Sequence, residues 1–110
     1  MKKLLIILSI VCISCKTDVE LSMERGIQYF EWNLLDKAII EFNHVVHMLS
    51  DDPKNLTYDQ REMLSKAYHN LAIAHLHLKR FSFAENYALK AYEQFSSEEN
   101  WETLNRIKNK

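Results

Sequence analysis

"LAIAHLHLKRFSFAENYALKA", residues 71–91, holds five alanines and two histidines but no glycine or proline. Three readings compete for it: a metal site on His75 and His77, a membrane-seeking stripe, or a seam where two helices pack. His75 and His77 are two apart, so on a helix they point to different sides and cannot readily share one ion. Small residues at 72, 84, 88 and 91 instead let two helix backbones approach, with Phe81 closing the hairpin between them. The stretch therefore predicts a helix hairpin packed through alanine. Truncating such an aromatic is expected to cost about 3 to 5 kcal/mol.

The rest of the chain agrees with an all-α reading. One Gly and one Pro in 110 residues leave almost no material for the tight turns of a sandwich or barrel. Apolar residues recur at helical spacing in every segment, as in Ile39, Phe42, Val46 and Leu49, and no segment is apolar all round. The formal charge of -1, with lysines and arginines dispersed, argues against nucleic acid as a partner. No glycine-rich phosphate loop, nucleophile elbow or metalloprotease motif is present, so neither an enzyme nor a cofactor is expected. His44 and His47, at i, i+3 with Glu41 one turn earlier, could approach a metal. They would spread over about two turns without a completing ligand, and a structural or surface role is the preferred reading. Paired acids such as Asp51 and Asp52 or Glu98 and Glu99 fall where loops and helix starts are expected, as solvated charge that complements helix dipoles.

The amino terminus is a separate object. Lys2 and Lys3 precede a ten-residue apolar stretch, residues 4–13, which is short for a transmembrane helix and suits the core of a signal peptide. The run "CISCK" that follows resembles the lipobox of bacterial lipoproteins, with Cys15 as the acylated residue behind Ser14. Cys12 stands where that pattern usually has Leu, so a plain secretory signal or a signal anchor remains open. Both cysteines lie at this junction, leaving none for a disulfide further on. The expected organisation is a signal peptide at 1–14, a lipidated cysteine and tether at 15–17, and a helical domain at 18–110. Cleavage before Cys15 would leave 96 residues and move the formal charge to -3. Lys16, in place of an Asp retention signal, favours the outer membrane, and the expected localisation is there, on the periplasmic side.

Start and stop signals divide the remainder into five helices. Thr17 with Glu20, Asn33 with Asp36, Thr57 with Gln60, Ser82 with Glu85 and Ser96 with Glu99 are the expected openings. The segment "SDDPKN" at 50–55 is the one clear breaker. Short connections predict antiparallel neighbours. Sliding the chain on itself by 46 residues places Gly26 on Ala72, Ile27 on Ile73, Phe30 on Leu76, Leu35 on Phe81, Ala38 on Ala84 and Val45 on Ala91.

A helix hairpin repeated in this way resembles the tetratricopeptide repeat, whose pattern runs W-x2-L-G-x2-Y, then A-x3-F, then P. The first copy supplies Gly26, Tyr29, Ala38 and Phe42; the second supplies Tyr68, Leu71, Ala72, Phe81, Ala84 and Ala91. Ser22 and Arg25, and in the second copy His75 and Ala88, depart from the pattern. Trp101 and Leu104 repeat the opening 33 residues after Tyr68, so the fifth helix looks like half of a third unit acting as a cap. The resemblance implies about two and a half repeats, a fragment of a right-handed α-solenoid. Elongated repeats behind a lipidated cysteine are also similar to the BamD family of lipoproteins in the outer-membrane β-barrel assembly machine, which implies that machine's core protein as a partner. The family's concave groove would fall on Met23, Ile27 and Phe30 of the first unit and on His69, Ile73, Leu76 and His77 of the second. The lysine and asparagine clamp that some members use for a peptide carboxylate is missing, since Met23, Ile27, His69 and Ile73 take its positions. The alternative function is a free-standing module that binds peptides or pairs with its own copy as a homodimer, unrelated to barrel assembly.

Overall fold

The computed structural model describes residues 16–110; the expected signal peptide and Cys15 lie outside the described residues. Five α-helices make up the domain, as the sequence predicts: α1 Asp18–Glu31, α2 Leu35–Ser50, α3 Tyr58–His77, α4 Phe81–Gln94 and α5 Glu98–Lys108. A 3-10 turn, Pro53–Asn55, interrupts the connection between α2 and α3. No described helix is long and apolar enough to cross a membrane.

Local chemistry explains three of the five starts. The Thr17 hydroxyl accepts from the Glu20 N–H at 3.2 Å. Thr57 and Gln60 form both halves of a capping box, at 3.1 and 3.0 Å, which satisfies two otherwise orphaned donors. The cap of α5 is Ser97, which accepts from the Asn100 N–H at 3.1 Å, one residue later than the expected Ser96. The expected caps of α2 and α4, Asn33 with Asp36 and Ser82 with Glu85, are not used: these helices begin after Leu34 and Arg80 without a side-chain cap.

The reason lies in how the preceding helices end. Asn33 and Lys79 adopt left-handed backbone, with φ of 60° and 59°. The Asn33 and Leu34 N–H groups return to the Phe30 and Tyr29 carbonyls at 2.9 and 2.8 Å, and those of Lys79 and Arg80 return to Leu76 and His75 at 3.0 and 2.9 Å. Each is a Schellman turn, which satisfies the helix's last carbonyls and starts the next helix at once. Asn33 is thus a C-terminal stop rather than an N-cap. The two turns lie 46 residues apart, the same interval that relates the side-chain pattern.

Both turns reverse the chain into a hairpin. From the first turn outward, Arg25 meets Glu41 and Ser22 meets His44; from the second, His75 meets Phe83 and Ser65 meets Ala91. Pairs that step away from the turn in this order mark antiparallel helices. The hairpins then pack in chain order, α2 against α3 and α4 against α5. Six more residues in α3 than in α1, together with the connection at 51–57, lengthen the interval between the two turns.

Small residues set both seams, as residues 71–91 predict. Ala72, Ala84, Ala88 and Ala91 are all buried, as are Ala38, Phe42 and Val45 in the first hairpin. Two expectations about large residues are corrected. Phe81 does not close the second hairpin: it is 47% exposed, because the first turn of α4 lies at the end of the hairpin where α3 has already stopped. Trp101 does not seal the stack either. It is 49% exposed and leans on Tyr92, while Leu104 and Ile107 on the same helix are buried.

Gly26 is a point of close approach between α1 and α2. A Cβ there would stand 2.5 Å from Cε1 of Phe42, a ring that is fully buried. Alanine normally gains about 1 kcal/mol over glycine inside a helix, whereas overpacking a filled core costs about 1 to 3 kcal/mol. Gly26→Ala is therefore expected to lower unfolding stability by up to about 2 kcal/mol in denaturant titrations. The same substitution made in a Phe42→Leu background should be neutral or stabilising, and a loss of equal size in both backgrounds would show that the ring is not the cause.

Candidate functional site

α1 and α3, the first helices of the two hairpins, enclose a groove that continues to the start of α5. It comprises a cleft of about 420 Å³ bounded by Met23, Ile27, His69, Phe95 and Asn100, and a second of about 250 Å³ bounded by Phe30, Glu31, Phe42 and Ile73. Ile27, His69 and Asn70 belong to both. Five of the seven residues expected in a groove from the sequence, Met23, Ile27, Phe30, His69 and Ile73, are brought together there.

The placements differ in kind. Ile27 is 42% exposed and presents its side chain, whereas Met23 is buried and forms part of the core shared by the two hairpins as well as the cleft wall. Leu76 is turned away from both clefts and packs against the second core cluster with Leu104 and Ile107. His77 lies beyond the groove and sets its ring edge-on to Phe30 at 5.4 Å.

Residues not anticipated from the sequence complete the walls: Glu62, Lys66 and Asn70 from α3, and Phe95, Ser97, Glu99 and Asn100 from the α4–α5 junction. Extending the face of Ile73 and His69 back by helical steps to Lys66 and Glu62 would have found the first group. Nothing in local periodicity reveals the second, which depends on the angle at which α5 returns. Buried Asn100 fixes that angle. Its amide donates to the Phe95 carbonyl at 2.8 Å and the Ser65 hydroxyl at 2.9 Å, while Ser65 donates to the Ala91 carbonyl at 3.0 Å. The last turn of α4, the first turn of α5 and the middle of α3 are thus joined by one satisfied polar knot.

The histidines show no metal geometry. His44 Nδ1 lies 3.2 Å from the Ser22 hydroxyl, and Glu41 accepts from Arg25. Among the described residues no group of three ligating side chains could hold an ion. His69 Nε2 is 3.8 Å from Glu99 across the groove mouth.

His75 sits in the α3–α4 seam, stacked between Phe83 at 5.2 Å and Tyr87 at 5.4 Å. Tyr87 stacks in turn on Tyr68, and the Lys90 ammonium lies within 5.8 Å of both tyrosine rings. The buried Nδ1 of His75 has no hydrogen-bond partner. Burial, and secondarily the nearby Arg80 charge, hold its pKa below the ordinary 6.5, while burial raises that of Tyr68.

No protein-family model, curated protein or solved structure matches the chain.

Because His75 takes up its proton more easily when unfolded, the unfolded chain binds more protons between the folded pKa and 6.5. The stability that neutral His75 contributes is full above pH 6.5 and is lost as pH falls through that window. His75→Phe, which preserves the ring stack and removes the orphaned nitrogen, should flatten the fall in chemical-denaturation midpoint between pH 7.5 and 5. Parallel pH profiles for the two proteins would show that another group governs the slope.

Proposed function

We propose that the chain is a lipid-anchored helical adaptor of the cell envelope, built on tetratricopeptide-type hairpins and most specifically a short BamD-like subunit assisting outer-membrane β-barrel assembly. The observation that carries the adaptor reading is the groove between α1 and α3, with Ile27, Phe30 and Ile73 in one continuous apolar lining. A surface of this shape suits a helical or extended segment of another protein. The repeat reading is supported by two Schellman turns at a 46-residue interval and by small residues in both seams. The lipobox-like run before Lys16 supports the anchor, since two or more acyl chains, each methylene contributing about 0.8 kcal/mol, hold a soluble domain on a bilayer.

The other reading, a repeat module that pairs with its own copy, draws on the half-exposed Trp101 at the terminal helix. Light scattering that finds a strict monomer at high concentration removes it.

Metabolic labelling with a palmitate analogue should mark the wild-type protein and leave Cys15→Ala unlabelled. Purification from detergent-solubilised membranes should recover the barrel-assembly core protein with the wild type and lose it with Ile27→Asp, a change at an exposed position that leaves the helical circular-dichroism signal intact. Labelling without that co-purification would retain the lipoprotein and discard the barrel-assembly role.

A further inference from the structure

The groove's charge selects one class of occupant, an inference that rests on the adaptor reading above. Its α3 wall runs from Glu62 to Ile73, which at 1.5 Å per residue is about 16 Å. A helical segment of about three turns fits that length. The floor is apolar, and Ile27 is exposed although its neighbours Met23 and Gly26 are buried.

The rim is one-sided. Three carboxylates, Glu31, Glu62 and Glu99, line the two clefts against a single ammonium, Lys66, and Lys66 is already paired with Glu62 at 3.2 Å. Among the described residues neither Glu31 nor Glu99 has a lysine or arginine partner, Glu99 facing only the His69 imidazole at 3.8 Å. They stand at opposite ends, Glu31 beside Phe30 and Ile73, Glu99 beside Phe95 and Asn100. Negative charge at both ends of an apolar trough repels nucleic acid and anionic headgroups and attracts a cation at either end of an apolar ligand. The terminal helix of a second copy offers no such segment. The basic end of α5, with Arg106 and Lys108, buries its Leu104 and Ile107 inside its own core.

We infer that the groove receives a basic amphipathic segment of a partner protein, with apolar side chains on Ile27, Phe30 and Ile73 and a Lys or Arg against Glu31 and Glu99.

The test uses the full chain in zwitterionic nanodiscs, with empty discs as control, and two fluorescent helical peptides of about three turns. Both carry leucine at i, i+3, i+4 and i+7; one has lysine at each end and its twin has glutamate. The lysine peptide should bind at least about tenfold more tightly at low ionic strength, with the preference shrinking as salt screens the rim. The double variant Glu31→Lys, Glu99→Lys changes two exposed side chains and should reverse the preference. Equal binding of the two peptides, or a preference that charge reversal does not move, overturns the inference. If Ile27→Asp abolishes binding while charge reversal has no effect, the groove stands and only its selectivity for basic ligands falls. Binding that emerges only after residues 1–14 are cleaved off would assign the groove to the chain's own leader, with its Lys2 and Lys3, and also overturns the proposal.

Discussion

The closeness of α1 to α2, fixed by the absence of a side chain at Gly26, is the constraint on which the rest depends. The Phe42 ring fills the space a Cβ would take, so the buried aromatic and the glycine are one unit. Forty-six residues later the corresponding pair is Ala72 and Ala88, and the large ring is gone. Leu104 and Ile107 of α5 pack there alongside Ala72, Ala84 and Ala88. The same repeat position thus carries bulk in the first hairpin, where the ring fills the space beside Gly26, and alanine in the second, on which α5 docks.

α3 is the helix most exposed to this logic. It faces α2, α4 and α5, and its buried residues, from Leu64 to His75, spread over more than one stripe. Polar residues inside it are consequently held to specific partners. Ser65 receives Asn100 and donates to the end of α4, and an unmet polar group at that depth costs about 1 to 3 kcal/mol. His69 and His75 are the exceptions, each with a buried Nδ1 lacking a partner, and that of His75 lies inside an aromatic stack. The neutral form of His75 is what that environment tolerates, since protonation would place charge in a buried seam beside Arg80.

Much of this was legible in the sequence because it is local. Alanine spacing in residues 71–91, the capping pairs Thr17 with Glu20 and Thr57 with Gln60, and the 46-residue interval are read within a few turns of helix. The errors have a common physical origin. Asn33 favours both N-caps and left-handed C-terminal stops, and only the tertiary turn decides between them. Lys79 gives no local signal for the same conformation. Phe81 lies at a helix start that no neighbouring helix extends far enough to cover, and Trp101 meets only the flank of α4 at Tyr92 and stays half exposed. Periodicity names a face but cannot say how long the facing element is.

The groove follows the same division. Ile27, Phe30 and Ile73 are found by helical register, because α1 and α3 occupy equivalent places in the two hairpins. Its closed end is not, because Phe95, Glu99 and Asn100 arrive through the knot that orients α5. That difference bears on what the groove can do. The apolar floor lies on the first helices of the two hairpins, whereas the carboxylate at the other end is placed by α5, which Asn100 ties back against Ser65. Shape therefore derives from the repeated part of the chain, and one half of the charge that distinguishes ligands derives from the unrepeated terminal helix.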